Sequence, residues 1–187
     1  MMDQKKIQEL ISRSQQEDAA AFSLLVSTFQ PLVFRLAFRL LCDEDEAKDM
    51  VQETFVKVWL ALGKYNGECR FSTWIYKITC NTCYDRLRSL YHSPLDNEAD
   101  YSVSVNISSD DNVELAVVNK QLRELILRYT DELSSRQRLI FTLRDIEELD
   151  VPEVQTITGL SAGIIKTTLY LARKNIRNKM NQIDAGL

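Results

Sequence analysis

Apolar residues recur at steps of three and four along most of this 187-residue chain, and only five glycines and three prolines interrupt them. That spacing is the period of an α-helix with one face turned inward. No pair of alternating segments joined by a turn indicates a hairpin. The chain therefore reads as all-α, and its organisation depends on where the helices stop.

Ala20 to Leu41 places Phe22, Leu25, Val26, Phe29, Leu32, Val33, Leu36 and Leu40 on one helical face, with Pro31 expected to kink or divide it. Asp43 to Glu46 supplies the cap and negative charge that favour a helix start. Ala47, Met50, Val51, Thr54, Phe55, Val58 and Trp59 continue the apolar stripe. Gly63 to Glu68 reads as a turn, and Ser72 as the N-cap of a helix running to about Leu90.

Between residues 91 and 113 Ser, Asn and Asp dominate and apolar residues stand singly, the composition of a flexible acidic linker. Helical period resumes with Leu115, Val118, Leu122, Leu125, Ile126 and Tyr129, and Leu133 with Ser134 forms a staple and cap for the next helix. A short helix over Pro152 to Ile157, a turn at Gly159 and a longer helix capped by Ser161 have the layout of a helix-turn-helix. The expected organisation is two small helical domains, 1–90 and 114–187, joined by a linker over 91–113.

A net charge of −4 argues mildly against a nucleic-acid partner, but its distribution argues for one. Residues 91–119 hold six acids and no base, whereas Gly163 to Met180 holds Lys166, Arg173, Lys174, Arg177 and Lys179 and no acid. One basic stripe on an acidic chain is a localised anion-binding face. In a helix-turn-helix the second helix enters the major groove, so Lys166, Thr167 and Tyr170 are candidates to reach base edges, with Arg173 and Lys174 behind them on phosphates. Taken alone, such a helix could equally be complementing its own dipole.

Other chemistry finds little support. One histidine, no phosphate-cradling glycine loop and no nucleophile–base pair leave no catalytic set, and no cofactor is expected. Cys80 and Cys83, with Cys42, Cys69 or His92, could be imagined as a metal site, but cysteines three apart on a helix are the ordinary pattern of small buried thiols. No metal is expected. The N-terminus MMDQKKIQEL lacks a secretory core, and Arg35 and Arg39 interrupt LVFRLAFRLL, so a cytoplasmic chain with reduced thiols and no membrane insertion is expected.

Three segments together resemble the extracytoplasmic-function group of the sigma-70 family, the promoter-recognition subunits of bacterial RNA polymerase. DEDEAKDMVQETFVKVW (43–59) resembles the group's polymerase-binding helix, and FSTWIYKITCNTCYDRLRS (71–89) its melting and minus-10 recognition helix. LSSRQRLIFTLRDIEELDVPEVQTITGLSAGIIKTTLYLARKNIR (133–177) resembles its minus-35 domain. The resemblance implies docking on core RNA polymerase through Asp49, Gln52 and Glu53. For minus-10 DNA it implies contacts by Asn66, Gly67, Arg70, Phe71, Trp74, Lys77, Asn81 and Arg88, although Trp74 fits a core stripe equally well. For minus-35 DNA it implies Lys166, Thr167, Tyr170, Arg173 and Lys174. Thr168 and Leu171 stand where members of the group often carry bases, which would remove phosphate or guanine contacts. The acidic linker would thread the channels of the polymerase or act as a plain tether. An anti-sigma factor, often membrane-tethered, would control the protein.

Two rival functions remain at this point. A free-standing helix-turn-helix regulator would leave QETF and FSTWIY unexplained. A helical adaptor that binds only protein would leave the basic stripe unexplained.

Overall fold

The computed structural model describes residues 3–90, 129–130 and 133–185. The expected linker over 91–113, and all but Tyr129 of the helix expected from Leu115, lie outside them. Among the described residues there are seven α-helices and no strand. The chain divides into two compact units, Met1–Leu90 and Tyr91–Leu187.

The first unit contains α1 (Gln4–Ser14), α2 (Ala19–Leu41), α3 (Glu44–Ala61) followed by a 3-10 turn at Leu62–Lys64, and α4 (Phe71–Leu90). Aspartates open the first three helices, each accepting from an amide that the helix itself leaves without a partner. Asp18 accepts from the Ala21 amide at 3.0 Å and from the Arg13 guanidinium at 2.7 and 2.9 Å, and these partners, the amide first, hold its carboxyl below the usual range. Asp43 accepts from the Asp45 and Glu46 amides, both at 3.0 Å.

α2 is the central element and packs against the other three helices. Leu25, Phe29 and Val33 of α2 share a buried cluster with Leu10 and Ile11 of α1, Val51, Phe55 and Val58 of α3, and Phe71 and Ile75 of α4. Each aliphatic side chain buried in this way contributes about 1.5–3 kcal/mol. Polar ties join α3 to α4: Arg86 grips Glu46 with two bonds of 2.6 Å, and Lys57 Nζ donates to Thr82 Oγ1 at 3.2 Å.

Three sequence expectations change in this unit. Pro31 neither divides nor ends α2. The N–H hydrogen bond it forfeits would run to the Ser27 carbonyl, and both residues are exposed, where water can satisfy that oxygen. α4 begins at Phe71, with the Trp74 amide donating to the Arg70 carbonyl at 3.0 Å, so Ser72 lies in the first turn and not at the cap. α2 is also long and apolar enough, by length and composition, to cross a membrane despite Arg35 and Arg39. In this fold one face of the helix is taken up by the bundle, with Leu25, Val33, Leu36 and Ala37 covered, while Leu24 stays exposed.

In the second unit, α5 (Ser135–Phe141) runs into a π-helical turn at Thr142–Ile146, and α6 (Val151–Thr158) and α7 (Ala162–Ala185) follow. Ser134 with Gln137, and Asp150 with Glu153, form reciprocal capping boxes at the starts of α5 and α6. Both helices pack on α7, burying Leu139 and Ile140, Val154 and Ile157, and Ile165, Leu169 and Ala172. Gly159 ends α6 at φ 72°. A side chain there would meet nothing within 4 Å, so the left-handed backbone alone is what favours glycine.

Candidate nucleic-acid interface

The turn at Gly159 and the Ser161 hydroxyl, which accepts from the Ile164 amide at 3.4 Å, set the start of α7. Ile165, Thr168, Leu169 and Ala172 then face inward. That choice of buried face turns Lys166, Thr167, Tyr170, Lys174 and Arg177 outward, and Tyr170 is 67% exposed. Lys166, Tyr170, Lys174 and Arg177 follow steps of three and four with Thr167 beside them, so one side of the helix offers cations, a hydroxyl and a phenol together.

One expectation for α7 needs correction. Thr168 is buried against the rest of the unit, so its identity removes no surface contact; only Leu171 stands outward. Arg173, expected behind that row on phosphate, is exposed, and its Nε and Nη2 donate to the Asp145 carboxylate at 2.8 and 2.6 Å. That bond holds the Arg173 pKa above its ordinary value. The role of Asp145 was missed because spacing within RDIEE does not relate it to a helix 28 residues further on.

In the first unit the loop after α3 is held by an aromatic cluster. Phe71 lies edge-on to Phe29 and Tyr65, with centroids at 5.3 and 5.2 Å, and stacks on Trp74 at 5.6 Å. The Tyr65 hydroxyl donates to the Cys69 carbonyl at 2.7 Å, and the Glu68 amide donates to the Asn66 side chain at 3.2 Å. Gly67 takes φ 80° at the tip. Asn66, Gly67 and Arg70 are thus presented on an anchored loop, and Lys77 and Asn81 continue outward along α4. Phe71 itself is buried, so it shapes this surface from beneath. Trp74 is half-buried, packed on Tyr65 at 5.2 Å between ring centroids. The Arg88 side chain lies outside the described residues.

On α3, Asp49, Gln52 and Glu53 are exposed on one face, and Glu53 pairs with Lys57 at 2.7 Å. Val56 and Leu60 extend the same face and are 58% and 76% exposed. Sequence reasoning missed them, although the signal was present. Positions 56 and 60 are apolar yet out of register with the buried series Val51, Phe55, Val58 and Leu62.

Among the described residues no cluster of His, Cys, Asp and Glu could hold a metal ion. Cys80 and Cys83 are buried in α4, and burial pushes the Cys83 thiol up to about 12. His92 lies outside the described residues.

Comparison with known proteins places these surfaces in a family context. The family described as Sigma-70 region 2 matches residues 25–92, and Sigma-70, region 4, matches 123–176. The chain is 30% identical to the ECF RNA polymerase sigma-E factor of Escherichia coli (strain K12), over 98% of both chains. It is 29% identical to the RNA polymerase sigma-H factor of Pseudomonas aeruginosa, over 94% of both. Among solved structures, CnrH in complex with the cytosolic domain of CnrY shares the fold at TM-score 0.71 and 19% identity, covering 95% of this chain and 98% of CnrH. The sigma factor RpoE in complex with the anti-sigma factor NepR from Bartonella quintana does so at TM-score 0.60 and 21% identity, covering 86% and 96%.

Proposed function

Because the chain belongs to the ECF RNA polymerase sigma factors, we propose a division of labour between its two units. The protein binds core RNA polymerase and directs promoter recognition and transcription initiation. Residues 1–90 dock on the polymerase through Asp49, Gln52 and Glu53, with Val56 and Leu60 adding apolar area beside them. The same unit engages minus-10 DNA through Asn66, Gly67, Arg70, Trp74, Lys77, Asn81 and Arg88, and Phe71 supports that surface from the core. Residues 114–187 read minus-35 DNA through Lys166, Thr167 and Tyr170, with Lys174 on phosphate, and 91–113 links the two.

Physically the task is binding, not bond chemistry, so the chain acts without catalysis and without a cofactor. Opening a duplex costs base stacking, and stacking a freed base on an aromatic side chain such as Trp74 returns roughly 1–3 kcal/mol. Polymerase and promoter both lie in the cytoplasm, where this chain would act. An anti-sigma factor is the natural inhibitor, since CnrH and RpoE of similar fold were each solved with a bound protein.

The observation that carries the minus-35 assignment is the row Lys166, Thr167 and Tyr170, exposed on the helix that follows the Gly159 turn. The test is reconstitution of the full chain with core RNA polymerase and run-off transcription on a library of upstream sequences. Initiation from templates sharing a two-box motif is expected. Absence of both core binding and selective initiation would overturn the assignment.

A further inference from the structure

α7 exposes two rows of side chains, and only one of them is charged. Lys166, Tyr170, Lys174 and Arg177 follow one another at steps of three and four, and beside them run Ile164, Thr167 and Leu171 at similar steps. Ile164 is 45% exposed and Leu171 41%. Neither joins the buried face made by Ile165, Leu169 and Ala172.

A single exposed leucine is ordinary. These two branched aliphatics, however, bracket the methyl-bearing Thr167 within the first three turns of the helix, on the flank of its cationic row. An apolar row that a cationic row carries onto a polyanion must meet the apolar part of that polyanion. In the major groove of DNA the one apolar group that distinguishes a base pair is the 5-methyl of thymine. Phosphate cannot be the target of Ile164 or Leu171, and the adjoining cations supply the attraction that holds the row in the groove.

We propose that Ile164, Thr167 and Leu171 form a thymine-methyl-reading row, so that the minus-35 element of this protein contains A·T pairs read by apolar contact. This rests on the minus-35 assignment above and adds the chemistry that sets its sequence preference. The opposite flank of α7 differs in character, since Arg173 is drawn there onto Asp145.

Deoxyuridine differs from thymidine only by that methyl, which allows a test that leaves the protein unaltered. After the promoter library has defined the minus-35 element, each thymine on either strand is replaced singly by deoxyuridine. Binding of the full chain with core polymerase is then measured, with replacements outside both boxes as controls. Loss of about fourfold in affinity is expected at one or more minus-35 thymines, the worth of one buried methyl. Leu171→Ala, at an exposed position, should fold normally and lose that discrimination at one thymine while keeping the salt dependence of binding.

Equal binding of thymine and uracil templates at every minus-35 position would overturn the inference while leaving the minus-35 assignment intact. So would an element made only of G·C pairs, or undiminished discrimination in both Ile164→Ala and Leu171→Ala. Failure to select any minus-35 element would instead overturn the underlying assignment, and the inference with it.

Discussion

Lys166 and Arg173 stand seven residues apart on one helix, yet their charges have different work. Lys166 projects outward, so Lys166→Ala should lower transcription from a cognate promoter and reduce the slope of log affinity against log salt by about 0.9, one phosphate contact. Arg173 is bound to Asp145 by two short bonds. Arg173→Ala should therefore leave the salt slope unchanged. Combined with Asp145→Asn in a denaturation double-mutant cycle, it should show a coupling of about 0.5–1 kcal/mol, as for a well-aligned pair near the surface. A slope reduced as much as for Lys166→Ala would return Arg173 to the phosphate-binding set. The thiols divide in a similar way. Burial first, then the carboxylate of Glu53, pushes the Cys83 thiol up to about 12, and Cys80 is raised also by burial. A raised thiol pKa keeps the unreactive protonated form at neutral pH. Burial raises the Cys69 thiol as well, but Cys69 is only partly covered while the other three are buried, so iodoacetamide at pH 8 should label Cys69 in the native protein before Cys42, Cys80 or Cys83, which should react only on unfolding. Mass mapping of the alkylated peptides checks that order.

At the scale of the element, helix ends are where single residues weigh most. Gly159→Ala places a side chain in open space but at φ 72°, so the cost should be about 1 kcal/mol from backbone strain alone. Gly159→Asn should cost less, because asparagine tolerates that conformation. Equal losses in urea melts of the two variants would show that something other than the backbone angle is at stake. Local signals of this kind made most of the fold legible in advance: acids and serines at caps, glycine at a helix end, apolar residues at helical steps. What stayed hidden was decided by exposure or by distance along the chain. Pro31 reads as a place where the helix kinks or divides, and its position on the outer side of α2 explains why the helix runs on through it. Ser72 has the chemistry of a cap, but the fold starts α4 earlier, at Phe71, whose ring the Phe29–Tyr65–Trp74 cluster takes up. Thr168 and Leu171 look alike as departures from a basic pattern, and only packing shows that one is inside and the other outside. The Arg173–Asp145 pair joins α7 to a π-helical turn that no periodic signal marks.

At the scale of the whole molecule, the first unit combines two kinds of exposed surface, the acidic and apolar face of α3 and the loop and outer face that lead into α4. Leu60 is 76% exposed, so Leu60→Ser should alter stability by no more than about 0.5 kcal/mol. It should nonetheless lower retention on core polymerase in a co-purification assay, and Glu53→Lys should do so more strongly by reversing a charge. Full retention by both variants would move the docking surface off this face of α3. The chain's two tryptophans lie in this same unit, one at each surface. Trp59 packs on Phe22 at the edge of the α3 face, at 4.7 Å between ring centroids, and Trp74 packs on Tyr65 beside the Asn66–Arg70 loop. The molecule is thus its own fluorophore pair. Replacing one indole by phenylalanine would leave the other to report, by colour and quenching and without any attached dye, on the surface beside it alone.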